Sequence, residues 1–214
     1  MISFCGFRLL VFGLITRFAI LAQPHADVRV FTSGSRTTFS SVGQPKAQGL
    51  NLRMSFPKTW AAKEGERPHV LQKFVSENGR GLEMAILVVK PIPLPDNAKL
   101  STADIKEILS DARSLIPSDA HFISARQSQI EGLPAALIDY YYEAESVVGS
   151  FTQRIWNVLF IAERNFVFIS FSVGAESDPA DPNVTKLAVD QKMATSKPLF
   201  MLMANSIVLP DRYR

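Results

Sequence analysis

Apolar and polar residues alternate along much of the chain, and this period of two predicts a structure built mainly of β-strands. The first such stretch covers residues 50–56, and Trp60 is expected in the turn that follows it. Strands are predicted next at 70–76 and 82–90. The Asn78-Gly79 pair between them favours a hairpin turn, because both residues tolerate a positive φ.

One stretch in the middle of the chain changes to the period of a helix, from Ser101 to Leu115. Apolar residues recur there every three or four positions, and Pro117 follows directly after the stretch. Ser101 is a good N-cap, with Asp104 three residues further on. The pattern predicts a helix that lies with one face against a sheet.

The chain after this helix contains four strand-like runs, at 121–130, 135–145, 150–162 and 165–173. The last two carry apolar residues at both parities, for example Ile155 and Trp156. A strand has this composition when layers cover both sides of its sheet. The helix at 101–115 supplies one cover, and the segment 183–208, broken or kinked near Pro198, supplies the other.

These elements predict an α+β fold: a largely antiparallel sheet of six or seven strands with helices on both faces. The predicted chain order is three strands, a helix, four strands and a helix.

The first 26 residues have the pattern of an export signal. An apolar run follows the first basic residue, and no acidic residue occurs before Asp27. Arg17 interrupts the run, and the run is too short for the roughly 20 apolar residues that a membrane-spanning helix needs. Cleavage is expected after Ala22 or, less favourably, after Ala26. The alternative is a misassigned start codon.

Export predicts a periplasmic or secreted protein with no stable membrane span after cleavage. The single cysteine, Cys5, lies within the signal, so the mature chain has no thiol. Residues 27–48 are rich in Ser, Thr, Gly and Pro and are expected to form a flexible linker. The folded domain is then predicted at 49–214.

Charge and motif content narrow the function classes. Without residues 1–26 the chain has 21 basic and 20 acidic residues and no basic cluster, which argues against nucleic-acid binding. The sequence holds no nucleophile elbow, no phosphate-binding glycine motif and no metal-binding pair of histidines; His69 and His121 stand alone. We therefore expect no cofactor, no metal and no enzymatic activity, with a hydrolase of unfamiliar design as the alternative.

A candidate contact surface lies on two of the predicted strands. Tyr140 and Tyr142 share one parity of their strand, and Arg154 and Trp156 share one parity of the next. If these two faces coincide, they form an aromatic, basic patch for a partner or an apolar ligand. The alternative is that Trp156 belongs to the core and the tyrosines keep their hydroxyls in water.

Several local motifs resemble those of the PsbP-like family, over about residues 50–210. They are Met54-Ser-Phe-Pro-Lys-Thr-Trp60, Ile130-Glu-Gly-Leu-Pro-Ala135, Gln153-Arg-Ile-Trp156, Phe166-Val-Phe-Ile169 and Ala204-Asn-Ser-Ile207. The family includes extrinsic photosystem II proteins, eukaryotic Ran-binding Mog proteins and exported bacterial domains without an assigned role. The resemblance implies antiparallel pairing of 150–162 with 165–173 and a binding or assembly role. It implies no site residues.

The sequence thus favours an exported, non-catalytic factor of the cell envelope that binds another protein, whose identity and oligomeric state it leaves open. The alternative is a carrier of a small apolar ligand, held between the sheet and the C-terminal segment. Met193, Met201 and Met203 would then provide an adaptable lining.

Overall fold

A seven-stranded sheet forms the middle layer of the protein. The computed structural model describes residues 26–76, 82–95, 100–146, 149–177 and 181–213. In chain order the helices and strands are α1 (Ala26–Thr32), β1 (Arg36–Ser40), β2 (Arg53–Pro57), β3 (Trp60–Glu64), β4 (Val70–Ser76), β5 (Glu83–Pro91), α2 (Thr102–Ser110), β6 (His121–Ile130), β7 (Leu133–Ser146), β8 (Gly149–Ala162), β9 (Asn165–Glu176) and α3 (Pro182–Asn205).

The sheet is antiparallel throughout, in the order β3-β4-β5-β9-β8-β7-β6. Strands β6 to β9 form a meander of successive hairpins, and β5 joins it by pairing with β9. The β8–β9 register runs from Phe151↔Glu176 to Ala162↔Asn165, which confirms the predicted hairpin. The predicted α+β fold is therefore confirmed.

Helices cover both faces of the sheet, as the two-sided apolar pattern of β8 and β9 predicts. On one face Trp156 is only 3% exposed and packs with Phe171, which in turn stacks on Phe200 of α3 in the larger core. On the other face Ile155 packs with Leu109 of α2 in a smaller core. Adjacent residues of one strand therefore serve two separate cores.

Helix α2 has the predicted start but a shorter α-helical body. The Ser101 side chain accepts a hydrogen bond from the Asp104 backbone N–H at 3.2 Å, and the Asp104 carboxylate accepts one from the Ser101 N–H at 2.8 Å. This reciprocal capping box satisfies donors of the first turn. The α-helix ends at Ser110, and a 3-10 turn at Ala112–Leu115 completes the predicted segment.

The prediction of a flexible linker at 27–48 is wrong. This segment contains most of α1, all of β1 and a 3-10 turn, and β1 pairs with β2. Phe31 and Phe39 are buried in the larger core. The error has a physical cause: the threonines of β1 have a high β-propensity, and the two phenylalanines supply the apolar burial that a Ser/Thr-rich linker would lack.

Two further details differ from the sequence prediction. The strand predicted at 50–56 belongs to the separate β1–β2 sheet, which packs on the α3 side through contacts such as Phe56 with Phe74, 4.7 Å between ring centroids. Trp60 begins β3 rather than occupying a turn. Its indole is anchored by Phe200 at 6.4 Å, a tertiary contact that local sequence does not reveal.

Helix α3 continues through Pro198, so the predicted break does not occur. Proline removes one donor to the carbonyl four residues earlier, that of Ala194. Both Ala194 and Pro198 are exposed, so water can satisfy that carbonyl. Among the described residues no helix is long and apolar enough to cross a membrane. The predicted signal, up to residue 25, and the Asn78-Gly79 turn lie outside the described residues.

Candidate functional site

A cluster of polar side chains lies where β7 and β8 pass beneath the middle of α3. The β7–β8 register places Tyr141 opposite Arg154 and Asp139 opposite Trp156, all on the α3 side of the sheet. Helix α3 adds Asp190 and Lys197 from above. We call Asp139, Tyr141, Arg154, Asp190 and Lys197 the Arg154 cluster.

The guanidinium of Arg154 is the centre of this cluster. Its Nε and Nη2 atoms donate to the two oxygens of Asp139 at 3.0 and 2.9 Å, and its Nη1 donates to Asp190 Oδ1 at 2.9 Å. Lys197 Nζ adds a weaker contact to Asp139 Oδ2 at 3.4 Å. Asp139 is only 4% exposed, so its charge is balanced by a bidentate arginine and a lysine rather than by water.

Tyr141 links β7 to α3. Its hydroxyl donates a hydrogen bond to Asp190 Oδ1. Burial, and then this bond to a carboxylate, raise the pKa of Tyr141 to about 12. The hydrogen bond to Asp139 raises the pKa of Arg154 above its ordinary range. At neutral pH both groups are therefore permanent donors, suited to positioning and recognition rather than to proton transfer.

Cations stack on the aromatic rings of this region. Lys197 Nζ lies 5.5 Å from the Trp156 ring centroid, and Lys186 Nζ lies 5.9 Å from that of Tyr141. The Arg154 guanidinium lies 5.7 Å from the Tyr141 ring. These contacts hold the long side chains over the sheet and limit their freedom.

An exposed, mainly apolar row runs along α3 beside the Arg154 cluster. Its residues, spaced alternately by three and four positions, face solvent, and we call them the α3 outer stripe: Val184, Leu187, Gln191, Ala194, Pro198 and Met201. Val184 is 57% exposed and Leu187 is 59% exposed. Leu187 lies one residue after Lys186 and three before Asp190, so it borders the cluster on the helix surface. Arginine, tyrosine and exposed aliphatic side chains together are typical of protein interfaces.

The structure separates the four residues of the sequence-predicted patch. Tyr140 and Tyr142 lie on the α2 side of the sheet, in the smaller core, whereas Arg154 and Trp156 lie on the α3 side. The condition that the two faces coincide is not met, because Arg154 is paired with Tyr141. Of the four, only Arg154 belongs to the cluster.

Trp156 and Tyr140 are both core residues. For Trp156 this agrees with the alternative interpretation. The Tyr140 hydroxyl is not in water; it accepts a hydrogen bond from Asn157 Nδ2 at 3.2 Å, and burial raises its pKa. Sequence reasoning missed the role of Tyr141, although Tyr141 shares its strand parity with Asp139. The register between β7 and β8 would have placed Tyr141 opposite Arg154. No local sequence pattern could place Asp190 beside these residues.

The described cavities do not match the predicted ligand-binding region. Met193 and Met203 fill the larger core, and Met201 faces solvent on the α3 outer stripe. A cavity of about 320 Å³ between α2 and β6 and two near residues 41–53 and 209–212 have no methionine in their lining. Within the described part of the chain, no group of three or more His, Cys, Asp or Glu residues could hold a metal ion.

No family model and no curated protein matches the chain. Solved structures similar to it include cyanobacterial PsbP from Synechocystis sp. PCC 6803, with 14% identity, 82% of this chain and 92% of that chain covered, and a TM-score of 0.49. Another is the Ran-binding protein Mog1p of Saccharomyces cerevisiae (13%, 83% and 97%, TM-score 0.49). A third is LpqN of Mycobacterium tuberculosis, involved in cell envelope biogenesis (10%, 87% and 98%, TM-score 0.44).

Proposed function

We propose that the chain is an exported, non-catalytic binding or assembly factor of the cell envelope, which contacts another protein through the first half of α3. The observation that carries this proposal is the exposure of Val184 and Leu187 beside the Arg154 cluster. An apolar centre next to held arginine, lysine and tyrosine side chains has the composition of a binding surface. The cluster contains no histidine, and its tyrosine keeps its proton at neutral pH.

The cluster also explains how such a surface stays rigid. Asp139 holds Arg154 from the sheet, and Asp190 holds it from the helix, so α3 is tied to β7 and β8 at this end. Pre-organised side chains lose less conformational entropy when a partner binds. The proposed surface is thus presented without rearrangement of the fold.

Site-specific photo-crosslinking tests this proposal. A photoreactive phenylalanine analogue at position 187, in cells that express the full chain, should give a crosslinked protein adduct in the envelope fraction. The same analogue at Lys63, an exposed position of β3 on the far edge of the sheet, is the matched control. The proposal predicts an adduct from position 187 that is absent from position 63 and is lost in a Val184→Asp variant.

An adduct of equal yield from both positions, or none from position 187, would overturn the proposed surface. Export is tested separately by the mass of the chain from the periplasmic or culture fraction. We expect cleavage after Ala22, because that cut leaves α1 whole and keeps a new amino group away from Asp27, which is 1% exposed. An uncleaved chain found only in the cytoplasm would overturn the localisation.

A further inference from the structure

Strand β6 forms an open edge of the main sheet. Among the described strands it has β7 as its only neighbour, and its residues from His121 to Gln127 are exposed. It is ten residues long. The opposite edge strand, β3, has five residues and ends in exposed Lys63 and Glu64, the second of which pairs with Lys46 at 3.2 Å. Short, charged edges are protected against further pairing, and long ones are not.

The turn after β6 defines which backbone groups point outward. Glu131 and Gly132 both have positive φ, 50° and 71°, so they form a two-residue turn of the primed type. The flanking pair Ile130↔Leu133 is then a hydrogen-bonded pair, and such pairs alternate along the ladder. Ala125, Gln127 and Gln129 fall at the alternate positions. Their N–H and C=O groups therefore point away from β7, toward the open edge.

The two sides of this edge differ in chemistry. On the α2 side, a cavity of about 320 Å³ is lined by residues that include Leu109, Pro134, Gln127 and Lys106. On the α3 side lies Arg126, opposite Leu137 of β7. No acidic residue occurs in β6, and no carboxylate among the described residues forms an ion pair with Arg126. The edge is therefore cationic on one side and grooved on the other.

A second copy of the chain is a poor occupant of this edge. In an antiparallel pair, outward-pointing residues must face each other. If Ala125 of one copy pairs with Gln127 of the other, the two copies of Arg126 lie directly opposite each other. In the two adjacent registers the two copies of Arg126 are diagonal neighbours. Like charges in such positions oppose pairing. Charge complementarity instead favours a strand with acidic side chains.

We propose that the β6 edge binds an extended acidic segment of another protein by β-strand addition. The segment pairs with the backbone of Ala125, Gln127 and Gln129, directs its acidic side chains to Arg126, and places its alternate, apolar side chains in the groove beside Leu109. This inference rests on the proposed function in that it describes a second docking surface of a binding protein. It concerns a different face from the α3 outer stripe.

A synthetic peptide tests the inference directly. The probe is a short fluorescein-labelled peptide in which glutamate alternates with valine, and the control peptide has lysine in place of each glutamate. Fluorescence anisotropy with the purified chain should show binding of the acidic peptide at least about tenfold tighter than binding of the basic one. Amide exchange measured by NMR should slow at Ala125, Gln127 and Gln129 when the acidic peptide is added.

Matched variants separate backbone pairing from side-chain effects. Gln127→Pro removes an outward N–H and no β6–β7 hydrogen bond, and should weaken binding about tenfold or more; Gln127→Val keeps that N–H and should bind like the parent chain. Arg126→Glu should reverse the preference between the two peptides, whereas Lys63→Glu, with the same change of net charge at the far edge, should not. Circular dichroism confirms that each variant is folded.

Several results would overturn the inference. One is the absence of peptide binding, and another is equal binding by the parent and Gln127→Pro chains. A parent dimer that Gln127→Pro converts to a monomer would also overturn it, because the edge would then bind a second copy of the chain. If the acidic peptide binds only after residues 1–22 are removed, the β6 edge is instead the binding site of that segment. Because the peptide assay does not measure contacts made by Val184 and Leu187, its failure leaves the α3 crosslinking result intact.

Discussion

Asp139 is the residue on which the polar chemistry of the α3 side depends. Its carboxylate lies at the sheet surface beneath α3 and receives three of the hydrogen bonds made by Arg154 and Lys197. A buried carboxylate is tolerated when opposite charges and donors satisfy it, and loss of one partner leaves the other uncompensated. The cluster therefore behaves as a unit, and changes to single members also affect the rest.

Because of Tyr141, the free energy of unfolding of the domain should fall at alkaline pH. Its pKa in the folded chain is about 12, above the ordinary 10.0, so the unfolded chain loses this proton first as the pH rises. The stabilisation is complete below about pH 10 and is lost between about pH 10 and pH 12. We expect the free energy of unfolding of Tyr141→Phe to be lower than that of the parent at about pH 8, and to fall less steeply above pH 10.

Urea unfolding at several pH values measures this difference. Tyr142→Phe is the control, since Tyr142 lies on the α2 side and has no contact with Asp190 in the described network; its pH slope should equal that of the parent. Equal slopes for Tyr141→Phe and the parent would contradict the raised pKa of Tyr141.

At the scale of elements, α1 is attached to the domain by a buried carboxylate. Asp27 Oδ2 accepts a hydrogen bond from Trp60 Nε1 at 2.9 Å, and Asp27 Oδ1 accepts one from the Thr59 hydroxyl at 2.7 Å. These bonds join the first helix to the start of β3. The N-terminal segment is therefore part of the packed domain rather than a tether.

Removal of this carboxylate should weaken the whole domain. Asp27→Ala leaves two donors at the β3 start without this acceptor, and we expect the free energy of unfolding to fall by about 1–3 kcal/mol. Urea denaturation followed by tryptophan fluorescence measures the change. The exposed control Asp119→Ala should lie within about 0.5 kcal/mol of the parent. If both variants unfold alike, α1 is not coupled to the cooperative unit.

The elements also show where sequence reasoning succeeds. The strands β6 to β9 and the start of α2 follow from local patterns: strand-like runs, apolar at both parities in β8 and β9, and a serine followed three residues later by an aspartate. The N-terminal elements do not, because Phe31, Phe39 and Trp60 acquire their roles only by packing against distant residues such as Phe74 and Phe200. The Arg154 cluster could not be predicted from the sequence for the same reason. It depends on the register between two strands and on a helix from a distant part of the chain.

At the scale of the whole molecule, the core is stabilised by packing without any intrachain disulfide. The chain contains one cysteine, Cys5, so no such bond can form. We expect the thermal midpoint to be the same with and without dithiothreitol, measured by circular dichroism on the full chain. A non-reducing gel run in parallel detects any disulfide between two chains. A midpoint that depends on the reductant would show that a linkage through Cys5 contributes to stability.

The pairing of β5 with β9 has a consequence for the order in which the molecule forms. Strands β6 to β9 are joined by short turns, so each finds its neighbour locally, whereas β5 must wait for the strand at the far end of that meander. Contacts between distant chain segments form late because the intervening loop must first be closed. A chain that enters a compartment N-terminus first would thus leave the outer edge of β5 unpaired until β9 has entered as well.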